Sequence, residues 1–393
     1  MTQAADARES SSGSGGNVRT LMESHWRPEL GYSVPNPDTY PHLWLWDSCF
    51  HAIIWAALGD ARAAKEFDAV LEGQLVKGMV PHMRYGGVGP DTWLGPLKHT
   101  SALTQPPMFG HAARVITEAG IPLEPDALAK AKQGLDWLWE HRRTPEGLIY
   151  IVHPWEAGND HSPRWDGWGA PGRTTEGYDR PARTAWNKER MRDISFAPDG
   201  SAAWSSSFVV SPAAFNAYTA YNFRELAAVT GDASLESRAS ELADTMDALL
   251  WNEEEQLWSD LAVVGGGPSV HTPISDGAMG ALVTADETKA RRALQQLDDP
   301  GRFSAPFGPS NVVRTDPAYH PDMYWRGPAW PPLNYLFQRA AIRVGMERTA
   351  CRLEAVTAAG VNASSFAEYW NPESGQSLGA VPQSWAGLVV AMQ

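Results

Sequence analysis

An all-α fold, arranged as an (α/α)6 barrel with long loops over one mouth, is what this sequence predicts, and three observations predict it. The first is a recurrent helix ending: a glycine, a turn carrying Asp, Pro or Glu, then another amphipathic segment. It is found at Leu58-Gly59-Asp60, Ala119-Gly120-Ile121-Pro122, Thr230-Gly231-Asp232 and Val344-Gly345-Met346-Glu347, with Thr284-Ala285-Asp286 as a variant lacking glycine. Glycine supplies the left-handed residue that closes a helix, and Asp accepts the free N–H groups that open the next, so each site is an αα-hairpin turn. The second is the scarcity of alternating strand patterns, with 147–152 a short candidate. The third is the length of three connections, 78–104, 143–207 and 298–328, which far exceed the usual helix link. Their Gly, Pro and Trp content marks ordered loops over a barrel mouth and favours a closed double ring over an open solenoid.

In chain order, residues 1–17 are rich in Ser, Gly and Ala and read as a disordered polar N-terminus, without the basic and apolar regions of a signal peptide. Residues 18–393 read as a single catalytic domain in which 143–207 is a long active-site loop or cap region. A first helix runs through Phe50 to Ala57. The segment 61–76 places Phe67, Val70, Leu71 and Leu75 on one face, and 128–139 does the same with Leu128, Ala131, Leu135 and Leu138. Between them 105–119 is expected to be helical, and 212–229 begins at Pro212, a residue suited to a first turn. After Gly231, the stripe Leu235, Ala239, Leu242, Ala243, Met246, Leu249 and Leu250 has helical spacing. Helices over 286–297, 329–344 and 347–359, and a last one opened by Pro382-Gln383-Ser384-Trp385, complete the frame. Cys49 and Cys351 fall in helix-like segments without ligand spacing and are expected to be small core hydrophobes.

Composition narrows the function. The 393 residues hold 18 Trp against 11 Tyr and 11 Phe. Trp is seldom buried completely, so many indoles are expected to face a cleft. A net charge of −14 argues against nucleic acid and anionic membranes as partners, since phosphate binding needs clustered Lys and Arg. No apolar run approaches the roughly 18 residues that span a bilayer, and a cytoplasmic location is expected.

The Trp-rich blocks point to sugar chemistry. A hexose lays its C–H faces on indole rings and offers its hydroxyls to carboxylates, amides and guanidinium groups. Breaking its glycosidic bond takes a carboxylic acid and a carboxylate on opposite sides of the ring. Asp160 stands between Trp155 and Trp165, an aromatic setting that raises a carboxyl pKa and keeps a proton available; Glu156 and Asp166 are its rivals on residue type. Glu368 lies in Phe366-Ala-Glu368-Tyr369-Trp370 and is preferred as base over Glu373, which falls in an Asn-Pro-x-x-Gly turn. In Tyr40-Pro-His-Leu-Trp44-Leu-Trp46-Asp47-Ser48, Asp47 reads equally as a hydroxyl ligand or a helix N-cap. Tyr85 in Pro81-His82-Met83-Arg84-Tyr85 and Gln105 before Pro106-Pro107 are further ligands, Gln105 alternatively a helix-start residue. Tyr324, Trp325, Arg326 and Trp330 around Gly327-Pro328 offer stacking faces and a planar guanidinium fork. Gln383 and Trp385 close the set.

These blocks, in order from Tyr40 onward, resemble glycoside hydrolase family 63, in particular its bacterial glucosylglycerate and mannosylglycerate hydrolases, with more distant similarity to trehalases. The resemblance implies an (α/α)6 barrel that hydrolyses a small α-glycoside with inversion and without cofactor or metal. It implies Asp160 as general acid, Glu368 as general base, and Tyr40, Trp46, Asp47, Gln105, Trp155, Gly158, Tyr324, Trp325 and Trp330 as sugar-binding residues. The stretch 173–207, where glycerate-specific relatives grip the substrate carboxylate, departs from the family pattern. Arg164, Arg173, Arg180, Arg183 and Arg190 are its possible carboxylate ligands, with solvated surface charge the commoner role for most. Sugar, aglycone and oligomeric state stay open at this level. Two other readings are a sugar epimerase on the same toroid, using His82, His153, His161 or His271, and a non-catalytic sugar-binding protein.

Overall fold

The computed structural model describes residues 17–86, 94–172, 175–265 and 273–393. Residues 1–16, and with them nearly all of the expected disordered N-terminus, lie outside that description, as do Arg173 and His271. Chain order begins with α1, described over 17–25, then α2 (Leu45–Ala57), α3 (Arg62–Glu72), α4 (Phe109–Glu118), α5 (Pro125–His141), α6 (Arg180–Arg190), α7 (Ala213–Thr230), α8 (Ala233–Leu249), α9 (Glu287–Gln295), α10 (Pro331–Arg343) and α11 (Glu347–Ala363). Two 3-10 segments, Ser275–Leu282 and Ser384–Met392, take the places of further core helices.

The helix-turn signals behave as the chemistry requires. Gly59, Gly120, Gly231 and Gly345 adopt φ of 68°, 73°, 73° and 64°, the left-handed region that costs a side chain most. The Asp232 carboxylate accepts from Ser234 N–H, and that of Asp286 from Thr288 and Lys289 N–H, capping α8 and α9. Hairpins α2–α3, α7–α8 and α10–α11 result, each packed along its length, whereas α5 touches α4 only lightly and also leans on α3 and α7. The more buried members also touch in cyclic order: α2 to α4, α4 to α7, α7 to Ser275–Leu282, that segment to α10, α10 to Ser384–Met392, and back to α2. They are apolar nearly all round; α2 buries every residue from Leu45 to Ala56, as a helix enclosed on all sides must. One large hydrophobic cluster runs through all of them.

Several expectations change. The segment 143–207 is a built cap, with 3-10 turns Pro154–Ala157 and Pro163–Trp168, the helix α6 and an antiparallel hairpin of Ile194–Phe196 with Ala202–Ser205. Helix α6 is so polar that it buries only Arg183, Trp186 and Asn187, too few to show as a stripe. The candidate strand 147–152 makes isolated bridges, Arg143 to Ile149 and Ile151 to Val210. The two-stranded pairs join into no larger sheet among the described residues. Pro212 caps α7 in an extended conformation one residue before its first turn. Helix α4 starts at Phe109 because Pro106 and Pro107 hold the preceding backbone extended. Cys49 is buried as expected, but Cys351 is exposed on the outer face of α11. Among the described residues no helix is long and apolar enough to cross a membrane.

Candidate active site

A cavity of about 250 Å³ opens where the N-terminal ends of α2 and α6, the turn at 155–161 and the segments leading into α4, α10 and Ser384–Met392 converge. It is lined by most of the residues singled out above: Tyr40, Trp46, Asp47, Gln105, Trp155, Gly158, Asp160, Tyr324, Trp325, Glu368, Gln383 and Trp385.

Asp160 follows the 3-10 turn Pro154–Ala157, whose C-terminal Gly158 is left-handed at φ 78°. Trp46 packs against that glycine so closely that an added Cβ would lie 2.8 Å from its ring. Trp155 Nε1 donates to Asp160 Oδ2 at 3.1 Å, and His161 Nε2 lies 3.5 Å from the same oxygen. The flanking backbone is tied down by side chains. Trp165 Nε1 donates to Asn159 O, Asn159 Nδ2 to Asp276, and Arg183 to His161 O and Ser162 O. Burial pushes the Asp160 carboxyl up to about 6, against the lowering pull of the Trp155 hydrogen bond and of Arg180 and Arg183.

Glu368 lines the same cavity, 3% exposed. Its Oε2 accepts from Ala380 N–H at 2.9 Å, Tyr40 Oη–H lies 3.2 and 3.3 Å from its two oxygens, and its backbone carbonyl accepts from Trp385 Nε1. Burial pushes this carboxyl up to about 7, opposed by the Ala380 and Tyr40 hydrogen bonds and by Arg180, and reinforced by the charge of Asp160. The same carboxylate, with burial, holds the Tyr40 hydroxyl firmly protonated and therefore a donor. Asp47 lies in the first turn of α2 without a capping bond, because Trp44 occupies the N-cap position. The cap reading of Asp47 is thus replaced by a buried carboxyl whose pKa stands well above the usual range, from burial and from Glu368. Gln105 is fixed by accepting from Trp46 N–H at 3.3 Å. Cavity-lining Trp44 Nε1, Trp325 Nε1 and Gln383 Oε1 are buried polar atoms without a protein partner, the kind of group a polyhydroxylated ligand satisfies.

The rivals have other employment. Glu156 is fully buried in a two-point pair with Arg142, 2.8 Å at each oxygen, and accepts from Val152 and Thr104 N–H. Asp166 is clamped by Arg183 and Arg326. Glu373 is exposed beside Arg314 and Tyr319.

Three expected ligands fall outside the cavity lining. Arg326 is fully buried, its Nη2 2.6 and 2.9 Å from the two Asp166 oxygens, while its Nε and Nη1 are buried with no hydrogen-bond partner among the described residues. Trp330 lies behind Trp325, stacked at 3.7 Å and 5°, and against Tyr369 at 4.4 Å. It stiffens the platform from the core side. Tyr85 packs edge-on to His42 and against the cluster that holds Met83 and Leu94, one layer behind the lining.

Of the arginines, Arg164 is paired with Asp260 and Asp276, Arg183 with Asp166, and Arg190 reaches Asp193 and Ser207. Arg180 differs. It opens α6 at the cavity rim, its guanidinium carbon lies 4.3 Å from the Tyr324 ring, and it makes no ion pair among the described residues. In the sequence it is one of five possible carboxylate ligands, with nothing to set it apart from the rest. Asp179-Arg180-Pro181, a capping Asp followed by proline in the first turn, is the helix-start signal that could have placed it. His82 and His161 also line the cavity, yet burial lowers their pKa values to about 3 and about 2, and His153 to about 4, so none is poised for proton exchange near neutrality. Among the described residues no three His, Cys, Asp or Glu side chains form a group able to hold a metal.

A family model described as the mannosylglycerate hydrolase MGH1-like glycoside hydrolase domain matches residues 40–386. The glucosylglycerate hydrolase of Mycolicibacterium hassiacum is 29% identical over 90% of this chain and 92% of its own. The mannosylglycerate hydrolase of Thermus thermophilus is 29% identical over 91% and 95%. A crystal structure of the family 63 mannosylglycerate hydrolase from Thermus thermophilus, in complex with Tris and D-glycerate, superposes with a TM-score of 0.80 at 26% identity, covering 96% of this chain and 99% of that one. Neutral trehalase of Saccharomyces cerevisiae, at 13% identity and a TM-score of 0.58 over 94% and 75%, shares the fold alone.

Proposed function

The chain belongs to the mannosylglycerate hydrolase MGH1-like glycoside hydrolase family, and from that premise we propose that it hydrolyses a small α-glycoside of glycerate, glucosylglycerate or mannosylglycerate, with inversion. The observation that carries the reading is the pair of carboxyls, Asp160 partly buried and Glu368 buried, lining one aromatic cavity with their pKa values raised to about 6 and about 7. Asp160 gives its proton to the glycosidic oxygen as the C1–O bond breaks. Glu368 takes a proton from a water that forms the new C1–O bond on the opposite face. That water needs a carboxyl separation of roughly 6.5–9.5 Å. Trp325 and Trp46 provide stacking faces, and Asp47, Gln105 and Gln383 bind hydroxyls. Arg180 takes the glycerate carboxylate. The frame behind the site, residues 18–393, is one (α/α)6 barrel, a reading supported by the cyclic helix contacts, with 143–207 as its cap.

Proton NMR of the first turnover tests the stereochemistry: the β-anomer of the released sugar is expected before mutarotation, and the α-anomer overturns the assignment. Arg180→Gln tests the aglycone. It should raise KM for glucosylglycerate by about tenfold, the scale of a hydrogen bond to a charged group, and leave α-glucosylglycerol hydrolysis unaltered. Equal effects on both substrates remove Arg180 from the role.

A further inference from the structure

The rear of the helical frame carries a second cavity, of about 300 Å³, at the opposite ends of the elements that build the active site. Its walls are Arg114 and Glu118 from the end of α4, Arg224 and Glu225 from α7, and Arg339 and Arg343 from α10. Four guanidinium groups meet two carboxylates in a protein whose net charge is −14. The floor is a buried polar plug in which His111 reaches Glu225 at 2.8 Å through Nδ1, Tyr335 at 2.8 Å through Nε2, and Tyr221 at 3.1 Å.

A structural role accounts for part of this charge. Arg224 and Arg343 donate to the carbonyls of Val283, Ala281 and Thr284, covering the negative end of a 3-10 segment as basic residues do. Arg114 shares Glu118, at 2.6 Å. Arg339 is less fully occupied. It is half-buried against the Tyr221 hydroxyl and in the field of Glu225, makes no ion pair among the described residues, and its Nε is buried with no hydrogen-bond partner among them. Burial and the charge of Arg224 push the Arg343 guanidinium below its ordinary value, the mark of like charges crowded together. Glu225 cannot relieve them fully because it is engaged with His111.

We infer that this rear cavity binds a small phosphate-bearing anion, with Arg339 as its principal ligand and Arg114 at the rim. Guanidinium forks suit phosphate oxygens in two-point geometry, and the Tyr221 hydroxyl, which lines the cavity, can turn its proton to a third oxygen.

The test is thermal unfolding of the full chain against inorganic phosphate or glycerol 3-phosphate, with sodium chloride at matched ionic strength as the control. Binding to the folded form predicts a saturable rise in Tm. The rise should be lost in Arg339→Gln and weakened in Arg114→Gln, while turnover of a neutral glycoside without added phosphate stays as in the parent. A response to both probes supports an oxyanion site. A response to the ester alone supports a site for a phosphorylated metabolite. No saturable rise, or a rise that survives Arg339→Gln, overturns the inference, the latter by assigning the anion to the Arg180 mouth. Should Arg339→Gln fail to fold, Arg114→Gln alone decides by whether the midpoint concentration of phosphate moves upward.

Discussion

Asp160 and Glu368 face one cavity from supports of different construction. Asp160 rides on a cap segment held by side chains: Trp155 on its carboxylate, Trp165 and Arg183 on the neighbouring carbonyls, and Asn159 on Asp276, which is itself paired with Arg164. Glu368 is braced by main chain, through Ala380 N–H on its carboxylate and the return bond from its own N–H to Ala380 O, with Tyr40 the one side-chain donor to its carboxylate among the described residues. The acid side is thereby adjustable by substitution at several positions, whereas the base side is fixed by a short two-stranded turn, Tyr369–Trp370 with Ser377–Leu378. What the contrast teaches is that the leaving-group half of the site is the half free to diverge with the aglycone.

The largest expected effect removes each carboxyl in turn. Asp160→Asn and Glu368→Gln should each lower kcat on the natural glycoside by about 10²–10⁴-fold, the usual worth of a positioned acid or base, with the circular dichroism spectrum retained. An α-glycosyl fluoride sharpens the comparison, since fluoride departs without a proton. Asp160→Asn should recover activity on it and Glu368→Gln should not; equal recovery would erase the division of roles.

Two glycines probe the supports. Gly158→Ala places a Cβ 2.8 Å from Trp46 at φ +78° and should cost about 1–3 kcal/mol in urea unfolding, along with weaker sugar binding. Gly379 stands beside Glu368 Oε2 at φ +71° in an exposed turn. An added Cβ there would stand closer still to that oxygen, so its alanine variant should cost at least as much stability but act on kcat more than on sugar binding. If both variants weakened sugar binding alike, the two supports would not be separable.

Smaller is the pH effect. On the proposed roles, productive enzyme has Asp160 protonated and Glu368 ionised. With the acid at about 6 and the base at about 7, kcat/KM should rise through the lower value, fall through the higher, and peak near about 6.5 with a minority of molecules in the productive form. Tyr40→Phe deletes a bond that favours the ionised base, so the upper limb should move up by about one pH unit. A limb that stayed in place would detach Tyr40 from the base.

Legibility in the sequence followed the range of the interactions. Helix pairs were readable because their signals are local: a left-handed glycine, an Asp cap, an apolar stripe. The two carboxyls were readable as members of aromatic blocks, and the structure brings both to one cavity. Contacts between distant segments escaped. Nothing near Arg326 announced that Asp166, 160 positions away, would take its guanidinium, and Trp330 resembles Trp325 in sequence although one supports the other from within. Ser275–Leu282 was missed as a core element because a short 3-10 segment of small residues carries no helical period. Helix α6 was missed because its outward face is almost wholly charged, and Cys351 was misplaced because residue type alone does not say which side of α11 it takes.

The pile of Trp325, Trp330 and Tyr369 extends from the cavity wall into the hydrophobic interior, and Trp325 is locked further by a backbone φ of 58°. A ring so wedged has surrendered its rotational freedom during folding, before any sugar arrives. Docking therefore freezes almost nothing on the protein side at that surface, and a hexose whose face does not match the plane meets a wall that cannot tilt to accommodate it.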